Sequence, residues 1–109
     1  MHVFDVLGDP VRRRIVELLG QSDRTAGEIT GVVTREFGVS QPAVSNQLRV
    51  LRDNGFARST PLGARRLYSI EVARLDEIEV WVRRQRRFWS DQLDALARED
   101  QRLTEGESP

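Results

Sequence analysis

The chain has 109 residues, the size of one small domain, and it contains no cysteine, which excludes disulfides, thiolate metal ligands and thiol redox chemistry. Its formal net charge is zero, but all 17 basic residues are arginine. The base composition of a GC-rich genome explains this bias, although arginine also suits bidentate contacts with phosphate and guanine. No apolar run approaches the roughly 20 residues needed to cross a membrane, and no secretory signal precedes the first charges, so we expect a cytoplasmic protein.

Capping residues and apolar spacing predict two helices at the start of the chain. Residues 1–7 have apolar side chains at helical spacing. Asp9 is typical of an N-cap, and Pro10 is tolerated in the first turn because the missing N–H would have no helical partner there. We expect Gly20 to end this second helix.

Two further helices are predicted in the same way. Thr25 and Glu28 have the spacing of a capping box, and Gly38 is typical of a helix C-terminus. Ser40 is expected to cap the fourth helix, which ends before Gly55. The apolar residues of the fourth helix lie three or four positions apart, which predicts one buried face. They are Val44, Leu48 and Leu51.

Only Gly38-Val39-Ser40 separates the third and fourth helices, which is typical of a helix-turn-helix. In that motif the second helix presents small and polar residues of its first turns to base edges in the major groove. Glutamine and asparagine pair with adenine, alanine contacts the thymine methyl, and arginines further along suit phosphates. An ordinary pair of helices with a polar outer face is the alternative. The residues expected to contact DNA are Ser40, Gln41, Pro42, Ala43, Ser45, Asn46, Gln47, Arg49 and Arg52.

A β-hairpin is predicted directly after this helix. Residues 56–60 and 66–70 have β-type composition, and residues 61–64 have the composition of a hairpin turn. Three arginines and no acidic residue lie between Gly55 and Ile70, which is typical of a wing that contacts the DNA backbone or the minor groove. These further DNA-contacting residues are Arg58, Arg65 and Arg66.

A long helix is predicted from about residue 72 to residue 103, because these residues include no glycine or proline. We expect a single domain over residues 1–103 and a flexible acidic tail over residues 104–109.

A domain of this size cannot bury the long apolar stripe of the last helix, which favours a homodimer through the first and last helices. A cofactor site formed by the two tryptophans is the alternative to packing. The expected interface residues are Val3, Phe4, Leu75, Ile78, Trp81, Val82, Phe88, Trp89, Leu93 and Leu96.

Four arginines of the last helix, at positions 83, 84, 86 and 87, lie opposite the apolar stripe. We expect them to form a solvated face balanced by Glu79 and Asp91, each of which lies four residues from an arginine. Contact with DNA phosphates is the alternative.

Three segments of the chain resemble the arsenical-repressor (ArsR) family of winged-helix regulators. Ser40–Gly55 (SQPAVSNQLRVLRDNG) and Gly63–Ile70 (GARRLYSI) resemble its central motifs, and Asp9–Leu19 (DPVRRRIVELL) resembles its opening helix. The resemblance covers the chain to roughly residue 96. It implies a symmetric dimer built from the first and last helices, a recognition helix that starts at Ser40, and a wing over residues 56–70.

Two features depart from the family pattern. Thr25 and Gly27 match the positions of the family's Cys-x-Cys metal-sensing pair, and neither can bind a thiophilic ion. Other members bind metal through His and carboxylates on the last helix, which here has no histidine. The stretch from Glu28 to Ser40 is also about four residues, or roughly one helical turn, longer than the usual pattern, which lengthens either the third helix or the turn after it.

These observations predict a sequence-specific transcriptional regulator, a repressor that binds an inverted-repeat operator in double-stranded DNA as a homodimer, with no cofactor and no metal site. An enzyme is not expected, because there is no cysteine and the sole histidine, His2, lies near a terminus that we expect to be mobile. Two alternatives stay open. One is a metal-responsive regulator that uses His2 and carboxylates, and the other is a protein-interaction or antitoxin-type module.

Overall fold

The computed structural model describes residues 1–107, which form a mainly helical chain with a small three-stranded antiparallel sheet. This confirms the predicted fold class of helices with a β-hairpin wing. No helix in this part of the chain is both long and apolar enough to span a membrane. In chain order the elements are α1 (Val3–Leu7), α2 (Pro10–Gln21), β1 (Arg24–Thr25), α3 (Ala26–Phe37), α4 (Gln41–Asp53), β2 (Ala57–Leu62), β3 (Arg65–Ile70) and α5 (Ala73–Glu107).

The predicted N-caps begin α2, α3 and α4. A carboxylate oxygen of Asp9 accepts hydrogen bonds from two backbone N–H groups of the first turn of α2, at 2.8 and 3.2 Å. The Thr25 hydroxyl accepts from the N–H of Glu28, and the Glu28 carboxylate accepts from the N–H of Thr25, so the capping box is complete. Ser40 Oγ accepts from a backbone N–H three residues later. These bonds satisfy donors that have no partner within the helix.

Two helix ends differ from the prediction. The second helix continues through Gly20 to Gln21, and its cap is Ser22, whose N–H donates to the Leu18 carbonyl at 3.3 Å. Gly20 does not end the helix because its φ is negative, and a glycine terminates a helix where the chain turns into the left-handed region. At the start of the chain, Nδ1 of His2 caps α1 by accepting from a backbone N–H two residues later, at 3.2 Å.

The hairpin is longer and its turn is shorter than predicted. β2 extends to Leu62 and β3 begins at Arg65, so only two residues form the turn, and Gly63 takes the positive φ of 61° that such a turn requires. Pro61 lies within β2, opposite Arg66, rather than in the turn. Proline is tolerated there because β2 is an edge strand of the sheet, whose order is β1-β3-β2.

The sequence did not predict β1, which has only two residues. Arg24 and Thr25 pair with Tyr68 and Leu67 of β3 in antiparallel register. Two residues are too few to show the alternation that identifies a strand. This pairing attaches the start of α3 to the middle of β3.

The hydrophobic core lies among the first four helices and the base of the sheet. The predicted buried face of α4 is confirmed, and Phe56, at the start of the hairpin, is the largest fully buried side chain among the described residues. The buried hydrophobic residues are Val3, Val6, Ile15, Leu18, Leu19, Ile29, Val33, Val44, Leu48, Leu51, Phe56, Ala57 and Tyr68.

The chain divides into two compact units, Met1–Glu77 and Ile78–Pro109. The described part of the second unit belongs to α5 alone, and its tryptophan, phenylalanine and leucine side chains are exposed. The helix reaches Glu107, past the expected start of the tail at residue 104. The last two residues of that predicted tail, Ser108 and Pro109, lie outside the described residues.

Candidate nucleic-acid interface

The turn between α3 and α4 has the three residues that the sequence predicted. Gly38 has φ 66° and ψ 20°, a left-handed conformation that glycine adopts at little cost, and its N–H donates to the Thr34 carbonyl at 3.0 Å. Ser40 then begins α4. α3 has 12 residues, and the turn after it is not extended. The buried face of α4 fixes which of its residues point outward.

The outward face of α4 carries most of the predicted DNA-contacting side chains. Ala43 is half-buried on this helix, and Arg49 donates from Nη2 to Oδ1 of Asn46 at 2.5 Å. Bidentate pairing of Asn46 with adenine would use the same oxygen as an acceptor, so the base would share this oxygen with Arg49 or displace it. The exposed members of the predicted set on this helix and its cap are Ser40, Gln41, Pro42, Ser45, Asn46, Arg49 and Arg52.

Gln47 is engaged within the protein, unlike these exposed residues. It is half-buried, and its Oε1 accepts a hydrogen bond from Nη1 of Arg12 at 2.8 Å. Its Nε2 donates to Oδ2 of Asp9 at 3.4 Å. Gln47 lies next to Leu48 on the edge of the buried face, where it meets α2. Both polar ends of its amide are therefore bonded within the protein.

The three arginines of the hairpin are exposed, but their surroundings differ. Residues directly opposite each other point to the same face, and the face alternates along a strand. The register therefore places Arg58 and Arg65 on one face and Arg66 on the other. Nη1 of Arg58 lies 2.6 Å from Oε1 of Glu71, and Nη1 of Arg66 donates to Oγ of Ser59 at 3.2 Å. Glu71 lies just beyond the hairpin, so it is outside the segment in which the sequence shows no acidic residue.

The tip of the hairpin lies close to the start of α3. A groove of about 630 Å³ between them is lined by Glu28, Arg65 and Arg66 among others. Hydrogen bonds from the side chain and backbone of Thr25 lower the pKa of Glu28, and the charges of Arg24 and Arg65 lower it further. The positive charge of Arg65 therefore acts on α3 as well as on the hairpin surface.

The positions that match the family's cysteine pair lie beside this groove. The Thr25 hydroxyl donates to the Glu28 carboxylate at 2.9 Å, so it is already engaged in the capping box. Gly27 offers no side-chain ligand. Over the described residues, no cluster of three or more His, Asp or Glu side chains is arranged to hold a metal ion.

The residues predicted to form a dimer interface fall into three groups. Val3 is only 2% exposed and belongs to the core, whereas Phe4 is 41% exposed. Leu75, Ile78 and Val82 are half-buried. The largest apolar side chains of α5 are 48–63% exposed and form a stripe along the helix. They are Trp81, Phe88, Trp89, Leu93 and Leu96.

The arginines at positions 83, 84, 86 and 87 are exposed, as expected for a solvated face. Among the described residues, however, no ion pair joins them to Glu79 or Asp91, so the predicted balance by helical ion pairs is wrong. An exposed pair gains little because each charge remains well solvated when it is separate.

The chain is similar to known transcriptional regulators over most of its length. A family model described as "Bacterial regulatory protein, arsR family" matches residues 9–59. The transcriptional repressor SdpR of Bacillus subtilis (strain 168) is 31% identical over 81 residues, which cover 74% of this chain and 86% of SdpR. The HTH-type transcriptional regulator Rv2034 of Mycobacterium tuberculosis (strain ATCC 25618 / H37Rv) is 33% identical over 94 residues, which cover 86% of this chain and 81% of Rv2034.

The chain is also similar in fold to a solved structure of a winged helix-turn-helix domain. It is the homodimeric winged helix-turn-helix DNA-binding domain of Mb0332 from Mycobacterium bovis, described as a possible ArsR-family transcriptional regulator. The TM-score is 0.59 at 26% sequence identity, and the match covers 77% of each chain.

Proposed function

Because the chain belongs to the arsR family of bacterial regulatory proteins, we propose that it is a transcriptional repressor that binds an inverted-repeat operator in double-stranded DNA as a homodimer. The observation that carries the proposal is the polar, exposed face of α4, which follows a three-residue turn and precedes a hairpin with arginines at its tip. Both features lie in one compact unit. The relatives are named regulators, so we propose a regulator rather than an enzyme, acting in the cytoplasm where bacterial DNA lies.

In this proposal α4 enters the major groove and the hairpin contacts the DNA backbone. Ser45 and Asn46 contact base edges, together with Gln41 in the first turn, because these residues are exposed and have the donors and acceptors that bases require. Arg49 and Arg65 contact phosphates, as do the other exposed arginines of the helix and the hairpin. The charge of the phosphates makes the affinity depend strongly on salt.

We propose that the homodimer forms through α5 and the exposed side chain of Phe4 in α1. Several large apolar side chains at helical spacing are exposed along α5, and burial of this stripe against a second copy removes it from water. The Mb0332 domain is described as homodimeric, which supports self-association of this chain. A two-fold dimer places two α4 helices on half-sites about one helical turn apart, or a multiple of that distance.

The proposal is tested by selecting DNA fragments from a random pool and measuring the affinity of the protein for the selected and scrambled sequences. We expect an inverted repeat among the selected fragments and at least about 10³-fold tighter binding to them at physiological salt. Footprinting on the selected fragment should show protection of two half-sites. Equal affinity for selected and scrambled DNA would contradict the proposal. A dimer with no affinity for DNA even at low salt would favour the protein-interaction module.

A further inference from the structure

The side chain of Arg12 joins three helices. It projects from the first turn of α2, and only 13% of it is exposed. Its Nε donates to the Val6 carbonyl at 2.7 Å and its Nη2 to the Asp5 carbonyl at 3.0 Å, both in α1. Its Nη1 donates to Oε1 of Gln47, in the middle of α4, at 2.8 Å. One guanidinium group therefore bonds to the end of α1 and to α4 at the same time.

These contacts use the planar, forked shape of the arginine side chain. The last carbonyls of a helix lack internal partners, and α1 has only five residues, so Arg12 satisfies two carbonyls that would otherwise be open. The carboxylate of Asp9 lies 3.9 Å from Nη1 and balances the positive charge. Lysine has one ammonium group on a flexible stem and cannot donate in three fixed directions.

Gln47 completes the arrangement from the side of α4. Its oxygen faces Arg12 and its nitrogen faces Asp9, so the amide is held between a cation and an anion. Gln47 directly follows Ser45 and Asn46 in the helix, and both of those side chains are exposed. A rotation or shift of α4 that broke the contacts of Gln47 would also move the two residues proposed to contact bases.

We propose that Arg12 and Gln47 are positioning residues that hold α4 at a fixed orientation to α1, and that Gln47 contacts no base. The proposal rests on the proposed function, which assigns base recognition to α4 and part of the dimer interface to α1. Asp5, whose carbonyl accepts from Arg12, is the neighbour of Phe4, an exposed residue of that proposed interface. The network therefore connects the proposed dimer face to the proposed DNA face through one side chain from each of two helices.

The test compares Arg12→Met and Gln47→Met, which remove the hydrogen bonds but keep most of the side-chain volume. Arg13→Met is the matched control, because Arg13 also donates to an α1 carbonyl, that of Leu7 at 2.9 Å, but makes no hydrogen bond to α4 among the described residues. Each variant is titrated with the selected DNA, with scrambled DNA and with a set of single base-pair variants of the selected site. Thermal unfolding is measured alongside.

We expect Arg12→Met and Gln47→Met each to reduce the ratio of selected to scrambled affinity at least about tenfold, while the affinity for scrambled DNA changes less than about twofold. The loss should be spread over all the base pairs that α4 contacts, since the whole helix shifts. The double variant should lose no more than the worse single variant, because both substitutions remove the same link. Arg13→Met should leave the ratio unchanged.

A loss confined to one base pair in Gln47→Met would mean that Gln47 contacts that base, and would overturn the proposal. An unchanged ratio in Arg12→Met would overturn it as well. If Arg12→Met does not fold, Gln47→Met decides alone, because it leaves the contacts of Arg12 with α1 in place. A wild-type protein that does not distinguish selected from scrambled DNA would contradict the proposed function itself, and the inference with it.

Discussion

Nη1 of Arg58 lies 2.6 Å from Oε1 of Glu71, the acidic residue that directly follows the last strand of the hairpin. The Arg58 side chain is 61% exposed and that of Glu71 is 35% exposed, so water screens the pair. Glu71 nevertheless cancels one of the three positive charges of the hairpin. A phosphate that approaches Arg58 has to compete with this carboxylate, whereas Arg65 and Arg66 carry their charge at the tip.

Glu71→Gln should therefore strengthen binding to DNA of any sequence. The substitution frees Arg58 for a phosphate, and we expect the slope of log affinity against log salt to become steeper by up to about 0.9. Titration of scrambled DNA at several salt concentrations measures this slope. Glu77→Gln is the control, since Glu77 pairs with Arg74 at 3.2 Å outside the hairpin and its loss changes the net charge equally. If the two variants show the same affinity and the same salt slope, the ion pair between Glu71 and Arg58 does not limit binding to DNA.

Arg65→Ala and Arg66→Ala should weaken binding to selected and scrambled DNA by similar factors. Each substitution removes one phosphate contact, so the salt slope should fall by about 0.9 for each. The same salt titration measures it, with Arg98→Ala in α5 as the control for loss of an arginine elsewhere. Full affinity of both hairpin variants at every salt concentration would show that the hairpin does not contact DNA.

Asn46→Ala should reduce the affinity for the selected DNA by about 1–3 kcal/mol and leave binding to scrambled DNA almost unchanged, because it removes a base contact. Titration of the two DNAs under one salt condition measures the difference. Arg49→Ala is a useful companion, since Arg49 donates to Oδ1 of Asn46 and the substitution removes this hydrogen bond together with the proposed phosphate contact. Equal loss on both DNAs for Asn46→Ala would argue against base recognition by α4.

Trp89→Asp should dissociate the dimer. The Trp89 side chain is 61% exposed in the isolated chain and lies in the apolar stripe of α5, so the substitution places a charge where the second copy would cover it. Sedimentation or light scattering at micromolar concentration measures the mass. Ser90→Asp adds the same charge at the next position, outside the stripe, and should remain dimeric. A wild-type protein that is monomeric under these conditions would contradict the dimer.

Thr25→Ala should destabilise the protein by about 1 kcal/mol, because it removes the N-cap of α3. The capping box also makes the stability of the protein depend on pH. The pKa of Glu28 is lowered below its ordinary value of 4.5, chiefly by hydrogen bonds from Thr25, so the folded state binds this proton less readily than the unfolded state. The stabilisation is present above that ordinary value and is lost as the pH falls through the lowered pKa.

Urea unfolding of wild type and Glu28→Gln between pH 3 and pH 7 measures how the free energy of unfolding depends on the charge of Glu28. The stability difference between the proteins should shrink as the pH falls below about 4.5, since the substituted side chain is an amide that does not titrate. Glu36→Gln serves as the comparison, because the pKa of Glu36 is lowered in the same direction by Arg14. A stability difference for Glu28→Gln that does not vary with pH would show that the capping carboxylate does not contribute.

The sequence by itself determined the helix starts and the buried face of α4. The caps at Asp9, Thr25 and Ser40 act on backbone groups two or three residues away, so their geometry depends only on the local chain. Helical spacing then places Val44 and Leu48 on one side of α4, and the exposed polar residues follow on the other. These local features also carry the family resemblance, which is why the function class could be predicted before the fold was known.

Only the tertiary structure decided what each side chain of the candidate site contacts. Gln47 has the donor and acceptor groups of a base-contacting residue, but Arg12, 35 residues away in sequence, donates a hydrogen bond to its side-chain oxygen. Arg58 is one of three hairpin arginines, and Glu71, 13 residues away, distinguishes it from the other two. Sequence spacing shows which face of an element a residue occupies. The charge and hydrogen-bonding groups that this face meets come from distant segments, and these segments become neighbours only when the chain packs around its core.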